Sequence, residues 1–84
     1  MMTRHEFEHY SETDKLTILL ERGEKVLNRI FLYYNITLYI VDHLFIEVWY
    51  RQTTNTVDKV NVVDMDKIFH LYEKHIKLPD LFNG

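Results

Sequence analysis

Cysteine is absent from the 84-residue chain, and only one proline and two glycines occur in it. Without cysteine there can be no disulfide framework, thiolate metal site or cysteine nucleophile, which is typical of a cytoplasmic protein. The chain is nevertheless 46% hydrophobic, and this excludes a disordered protein, which would have too little apolar material to offset its ordering entropy. The sequence therefore predicts a folded domain.

Positive charge is also scarce, since ten Lys and Arg face thirteen Asp and Glu, for a formal net charge of −3. Nucleic-acid-binding domains usually have a basic face, so nucleic acid is not the expected partner. The first fifteen residues, MMTRHEFEHYSETDK, contain no apolar run of the kind that a signal peptide or a membrane span requires. We therefore expect a cytoplasmic location and no membrane association.

The length predicts one domain over residues 1–84. Two separate cores would each approach the size of roughly 40 residues at which disulfides, metal or oligomerisation are needed for stability. Residues 1–10 are mostly polar and are expected to form a flexible N-terminal segment.

A first helix is predicted from about Glu12 to Arg22, with Ser11 before it and Gly23 closing it in the left-handed conformation. A strand is predicted next, over residues 25–32. The alternative is one long helix to Tyr34, because the apolar residues keep a 3.6-residue period. We prefer the strand, because a glycine within a helix costs about 1 kcal/mol and β-forming residues follow it.

Strand-like sequence continues to residue 63. Asp42 and His43 form a two-residue hairpin turn, in which His43 replaces the usual glycine and is among the side chains that accept positive φ. A polar run, 52–56, makes the next turn. The three strands that these turns connect cover residues 36–41, 44–51 and 57–63.

The last helix is predicted to begin at Asp64, a good N-cap, and to end near Lys77, because Pro79 follows. Leu81 and Phe82 are expected to fold back onto the core. The predicted fold is thus α+β, a small single domain ordered α-β-β-β-β-α. It is a four-stranded antiparallel meander flanked by an N-terminal and a C-terminal helix, and we expect both helices on one sheet face.

Glu47 is the single carboxylate between Val41 and Arg51 apart from the turn residue Asp42. Because side chains alternate along a strand, the turn at 42 and 43 fixes the two sheet faces. The Glu47 face holds Ile36, Leu38, Ile40, Phe45, Glu47, Trp49 and Arg51. The Ile46 face holds Thr37, Tyr39, Val41, Leu44, Ile46, Val48 and Tyr50. An even-length loop after residue 51 would add Asp58, Val60 and Val62 to the Glu47 face.

Both faces are substantially apolar, whereas two helices of this length cover about one face of four strands. The Glu47 face is therefore expected to bind a partner, either a second copy in a homodimer or another protein. The interface residues predicted from this are Phe45, Glu47, Trp49 and Arg51, and Tyr50 is a weaker aromatic candidate on the other face. Glu47 is expected to stay solvated or to pair with Arg51, Arg29 or a basic residue of the partner.

We interpret the chain as a non-enzymatic interaction domain. The sequence indicates no catalytic residue, cofactor or metal ligand. The first alternative is a small enzyme or ligand-binding protein, in which Glu47 acts as an acid or base in an apolar pocket and Arg29 or Arg51 orients an anion. The second is a nucleic-acid-associated regulator with strand aromatics as a stacking platform, but basic residues and an RNP-like stretch are lacking.

The stretch from His5 to His9 matches H-E-x-x-H, in which two helical histidines bind zinc and the glutamate activates water. It lies outside the apolar periodic segments and has no clear third ligand, so we interpret it as part of the polar N-terminus, with weak nickel or zinc binding as the alternative. His70 and Glu73 on the last helix likewise lack a third metal ligand.

The run from Leu38 to Tyr50, which includes Asp42 and has Arg29 upstream, resembles a group of short bacterial proteins with the pattern LLxxG…R…LYxLDxFFVEVxY. The likeness would cover the chain from Leu19 onward. It implies a free-standing cytosolic α+β domain, and it supplies no activity and no catalytic residues. His43 stands where the pattern has glycine after the aspartate.

Overall fold

The computed structural model describes residues 1–73. The predicted α+β fold is confirmed, because a four-stranded antiparallel sheet of order β1-β2-β3-β4 lies between N-terminal and C-terminal helices. The elements are α1 (Arg4–His9), α2 (Glu12–Arg22), β1 (Glu24–Phe31), β2 (Tyr34–Val41), β3 (Leu44–Arg51), β4 (Thr56–Val63) and α3 (Met65–Tyr72). The predicted end of the last helix and the return of Leu81 and Phe82 lie outside the described residues. Within residues 1–73, no helix is long and apolar enough to cross a membrane.

Residues 4–9, which we assigned to a flexible segment, instead form α1. The helix begins with a capping box, in which the Thr3 hydroxyl accepts from the Glu6 amide and the Glu6 carboxylate accepts from the Thr3 amide. Phe7 is only 1% exposed and belongs to the hydrophobic core. In the sequence, the capping-box pattern of Thr3 and Glu6 followed by Phe7 could have predicted this helix, although most residues around it are polar.

Helix α2 has the predicted bounds, and the Ser11 hydroxyl caps it by accepting from the Asp14 amide. The prediction of a left-handed Gly23 is wrong, because its backbone is extended, at φ −76° and ψ 148°. The chain runs directly into β1 and needs no reversal there. Gly23 is needed for space, since a Cβ atom would lie 2.6 Å from the Leu19 carbonyl oxygen. The long-helix alternative is excluded by β1.

The β2–β3 hairpin has the predicted register, with Val41 opposite Leu44. Asp42 and His43 both have positive φ, at 46° and 70°. Two consecutive positive φ values are typical of the type I′ turn, whose twist matches that of the flanking strands. The two sheet faces of β2 and β3 are therefore those that the sequence predicts.

The predicted faces of β4 are wrong for residues 59–63, since Lys59, Asn61 and Val63, which the alternation would leave on the Ile46 face, lie opposite residues of the Glu47 face. Tyr50 pairs with Val57 and Trp49 pairs with Lys59, so Asp58 is an extra residue and forms a β-bulge. Such a bulge changes the alternation by one residue. Val60 and Val62 consequently lie on the Ile46 face, while Asp58 stays on the Glu47 face.

The prediction that both helices cover one face is also wrong. Helices α1 and α2 pack on the Ile46 face, and α3 lies against β1 on the Glu47 face. The reason is that the N-terminal segment supplies two helices instead of one, and these occupy the first face. The core between that face and the helices consists of Phe7, Leu19, Val41, Ile46 and Val60.

Candidate functional site

Glu47 is buried under α3, with 3% of its surface exposed. It lies on β3, an interior strand, opposite the fully buried Leu38. The expectation that its carboxylate stays solvated is wrong, whereas pairing with Arg29, one of the predicted partners, is confirmed. The carboxylate is buried because α3 covers the β1 side of the sheet, which no local sequence pattern revealed.

The Glu47 carboxylate accepts four hydrogen bonds from the side chains of Arg29, Trp49 and Tyr72. We call these three residues and Glu47 the Glu47 cluster. Arg29 donates to Oε2 from Nε at 3.3 Å and from Nη2 at 3.2 Å. The Tyr72 hydroxyl donates to Oε2 at 2.7 Å, and the Trp49 indole donates to Oε1 at 3.2 Å. A carboxylate away from water needs such donors, because burying an unpaired charge is costly.

Arg29 is itself buried, with 8% of the residue exposed. Its central carbon lies 5.3 Å from the centre of the Trp49 ring and 5.4 Å from that of Tyr72. These separations are typical of cation–π contacts, which are strongest when the cation is desolvated. Arg29 comes from the edge strand β1 and Tyr72 from α3, so the cluster ties sheet and helix together.

Burial raises the pKa of the Tyr72 hydroxyl, and the hydrogen bond to Glu47 raises it further. The hydroxyl therefore remains protonated near neutral pH and acts as a donor. All four hydrogen bonds to Glu47 are donated to its two carboxylate oxygens. This arrangement fixes the position of the Glu47 side chain, since three neighbouring side chains donate to it.

A pocket of roughly 410 Å³ lies between α3 and the β1 side of the sheet, beside the Glu47 cluster. Its walls are mostly apolar, and Phe31 contacts Trp49 edge to face, with ring centres 6.2 Å apart. We call it the side pocket, and it is lined by Arg29, Phe31, Glu47, Trp49, Ile68 and Leu71. Glu47 and Arg29 thus both line this pocket.

An exposed apolar segment adjoins the side pocket at the β1–β2 turn. Leu32 is the first of the two turn residues, with 71% of its surface exposed and a positive φ of 54°. Leucine rarely adopts this conformation, because its Cβ approaches the carbonyl oxygen too closely. We call this segment the apolar tip, and it comprises Ile30, Phe31, Leu32 and Tyr33, all of them exposed.

The apolar tip is held firmly on its Tyr33 side. The Tyr33 carbonyl accepts a hydrogen bond from the Gln52 amide at 2.9 Å, and the Arg51 guanidinium lies 5.2 Å from the centre of the Tyr33 ring. Arg51 is fixed in turn by Asp58, at 2.6 Å from Nη2. Hydrogen bonds from Tyr34 and Arg51 lower the pKa of Asp58, so its carboxylate stays ionised.

The four predicted interface residues do not form one surface. Glu47 is buried, and Arg51 is engaged by Asp58 and Tyr34. Trp49 is half-buried in the wall of the side pocket. Phe45, also half-buried, lines a different pocket of about 370 Å³ where β4 leads into α3.

The apolar tip was missed by the sequence predictions. The predicted strand over residues 25–32 is confirmed for residues 25–31, but Leu32 belongs to the turn. The turn was not located because Leu32 and Tyr33 are not turn-forming residues. The signal that could have found it is the run IFLYY followed by asparagine, an apolar stretch crossing a boundary between two strands.

Comparison of the chain with protein-family models, with curated proteins and with solved structures found no match. The resemblance to short bacterial proteins therefore stays a prediction. Any conclusion about function depends on the geometry of the described residues.

Proposed function

We propose that the protein is a non-enzymatic interaction domain that binds a protein partner through the apolar tip and the rim of the side pocket. The partner is either a second copy of the chain or a different protein. The observation that carries the proposal is Leu32, a large apolar side chain that is exposed and sits at a positive φ. A cytoplasmic, bacterial protein fits the cysteine-free sequence and the resemblance of its β-strand run.

Leu32 does not serve the stability of the isolated domain. A left-handed backbone costs a residue with a Cβ atom roughly 1–2 kcal/mol, and an exposed leucine recovers little of this by burial. Asparagine or glycine would satisfy the same turn at lower cost. An apolar side chain at such a position gains its stabilising contacts only when another molecule covers it.

The tip is also prepared for binding. Two of its residues, Phe31 and Tyr33, contact Trp49 and Arg51, so these side chains lose little conformational freedom when a partner binds. Single exposed apolar residues are common on the surface of soluble proteins. Exposed apolar residues that cluster beside a pocket are instead typical of interaction sites. The Glu47 cluster supports this site from below by fixing α3 to the sheet.

The test is light scattering behind size exclusion over a range of concentrations, comparing the wild type with Leu32→Asn. Asparagine tolerates positive φ, so we expect the variant to be at least as stable as the wild type and to lose self-association. Leu20→Asn is the matched control, since Leu20 is 84% exposed on α2, away from the tip.

Equal association of the two leucine variants and the wild type would contradict a tip-mediated dimer. If the wild type is monomeric, the same pair of variants serves for partner capture. A specific partner should then bind the wild type and Leu20→Asn but not Leu32→Asn.

A second candidate function is the binding of a small apolar ligand in the side pocket, favoured by its volume and its apolar walls. Trp49, the one tryptophan of the chain, lines this pocket and is therefore a direct reporter. Titration with anilinonaphthalene sulfonate should quench or shift Trp49 fluorescence, and Leu71→Phe, which adds bulk to the pocket wall and no second tryptophan, should weaken this response. Unchanged emission up to millimolar probe would exclude this function for ligands of that class.

A further inference from the structure

Two histidines lie together on α1, separate from the apolar tip and the side pocket. His5 and His9 are four residues apart on the helix, so their side chains occupy the same face. Their ring centres are 4.2 Å apart with an interplanar angle of 55°. Both residues are exposed, and an ion can reach the rings without crossing any part of the fold. We propose that His5 and His9 form a two-imidazole chelate for a divalent late transition-metal ion such as Cu²⁺, Ni²⁺ or Zn²⁺.

The hydrogen bonding of His9 prepares its ring for this role. Nδ1 of His9 lies 2.8 Å from the carbonyl oxygen of His5. A carbonyl can only accept, so Nδ1 carries the proton and donates, and in the neutral ring the lone pair is on Nε2. Donation from one ring nitrogen to a backbone carbonyl is the usual arrangement of metal-binding histidines, because it fixes the tautomer and the ring direction.

The helix that carries the two rings is fixed by the rest of the fold. Phe7, between them in sequence, is buried in the core, and the capping box closes the helix start. Arg4 binds Glu8 at 3.3 Å and Asp64 at 3.4 Å, which connects α1 to the start of α3. His9 is also in the last turn, where the negative end of the helix dipole favours a cation.

The same geometry excludes a zinc hydrolase centre in spite of the H-E-x-x-H match. Glu6 is committed to the capping box, where its carboxylate accepts from the Thr3 amide at 3.2 Å, so it is not positioned to activate water. No group of three or more His, Asp or Glu within residues 1–73 could hold a metal. The remaining coordination positions would be filled by water or by donors of another molecule, and the site binds metal without performing hydrolysis.

The metal class follows from the ligands. Neutral imidazole suits copper, nickel and zinc, and the affinity of nitrogen sites for divalent ions rises from Mn²⁺ to Cu²⁺. Mg²⁺ and Ca²⁺ prefer oxygen ligands and are not expected to compete. Because α1 contributes Phe7 to the core, an ion that spans one turn of this helix should also raise the melting temperature of the whole domain.

The experiment is calorimetric titration of the untagged full chain with NiCl₂, followed by melting curves at saturating Ni²⁺. We expect one ion per chain and a loss of affinity of at least about tenfold in His5→Ala and in His9→Ala, since even indirect supports of a ligand are worth about that much. His70→Ala, at an exposed histidine on α3, is the matched control and should bind like the wild type.

Circular dichroism without metal establishes that each variant is folded. Cu²⁺ electron paramagnetic resonance then gives an independent reading, since two coordinated nitrogens should reduce to one in either alanine variant. Nickel affinity that is unchanged in both His5→Ala and His9→Ala would overturn the proposal. So would a loss of equal size in His70→Ala, or the absence of any binding by the wild type at millimolar Ni²⁺.

Discussion

Replacing Glu47 by glutamine removes the negative charge of the Glu47 cluster while keeping nearly the same shape. The change leaves the buried Arg29 side chain without its counter-ion. Breaking a buried ion pair on one side costs about 3–5 kcal/mol, because the remaining charge is uncompensated. The amide oxygen can still accept from Tyr72 or Trp49, so we expect the lower end, about 3 kcal/mol.

That loss is large for a domain of this size. At roughly 0.05–0.15 kcal/mol per residue, the free energy of unfolding of 84 residues is about 4–13 kcal/mol. Each kcal/mol shifts the melting temperature of such a domain by roughly 4–8 °C. Glu47→Gln should therefore melt at least about 12 °C below the wild type.

Urea unfolding monitored by Trp49 fluorescence and by far-ultraviolet circular dichroism measures this loss directly. The control is Glu8→Gln, which removes an exposed i,i+4 pair with Arg4 and should cost no more than about 0.5 kcal/mol. The double variant Arg29→Met with Glu47→Gln should be more stable than Glu47→Gln alone, because no unpaired cation remains. A loss below about 1 kcal/mol in Glu47→Gln, or no recovery in the double variant, would refute the argument from buried charge.

Three further predictions concern individual contacts of the fold. A hydrogen bond from a backbone amide and then one from Arg22 lower the pKa of Asp42 below its ordinary 3.8. The stability that Asp42 contributes is therefore complete above pH 3.8 and is lost as the pH falls through the lower pKa of the folded protein. The unfolding free energies of the wild type and Asp42→Asn should differ at pH 5 and converge towards pH 2. Gly23→Ala should destabilise by about 1–3 kcal/mol in thermal unfolding, because the new Cβ meets the Leu19 carbonyl, and a neutral result would show that α2 can shift freely. Phe7→Ala should cost about 3–5 kcal/mol in urea unfolding if α1 belongs to the core, whereas a negligible cost would restore the flexible N-terminus.

The parts of the fold that were predicted correctly depend on local patterns. Helix α2 has its cap at Ser11 and its apolar stripe within eleven residues. The β2–β3 hairpin is fixed by the two turn residues Asp42 and His43, and its register then follows from alternation alone. A helix or turn whose signals lie within its own residues can be predicted without knowing what packs against it.

The candidate site was predicted only in part. Glu47 and Arg29 were singled out, and they are in contact, but their burial depends on α3, which is distant from β1 in the sequence. Tyr72 was not among the predicted site residues, and its hydroxyl binds a strand residue 25 positions away. Local periodicity carries no information about such long-range contacts.

The sequence by itself determined the order of the elements from α2 onward, the bounds of α2 and the turn of the central hairpin, because capping, propensity and strand alternation act within a few residues. Only the tertiary structure decided which face each helix covers, how the bulge at Asp58 moves Val60 and Val62 to the Ile46 face, and that Glu47 is enclosed. These outcomes depend on which surfaces fit together once α1 has formed and taken its place on the sheet. Packing between distant segments, with the burial of charge that follows from it, is a property of the assembled fold.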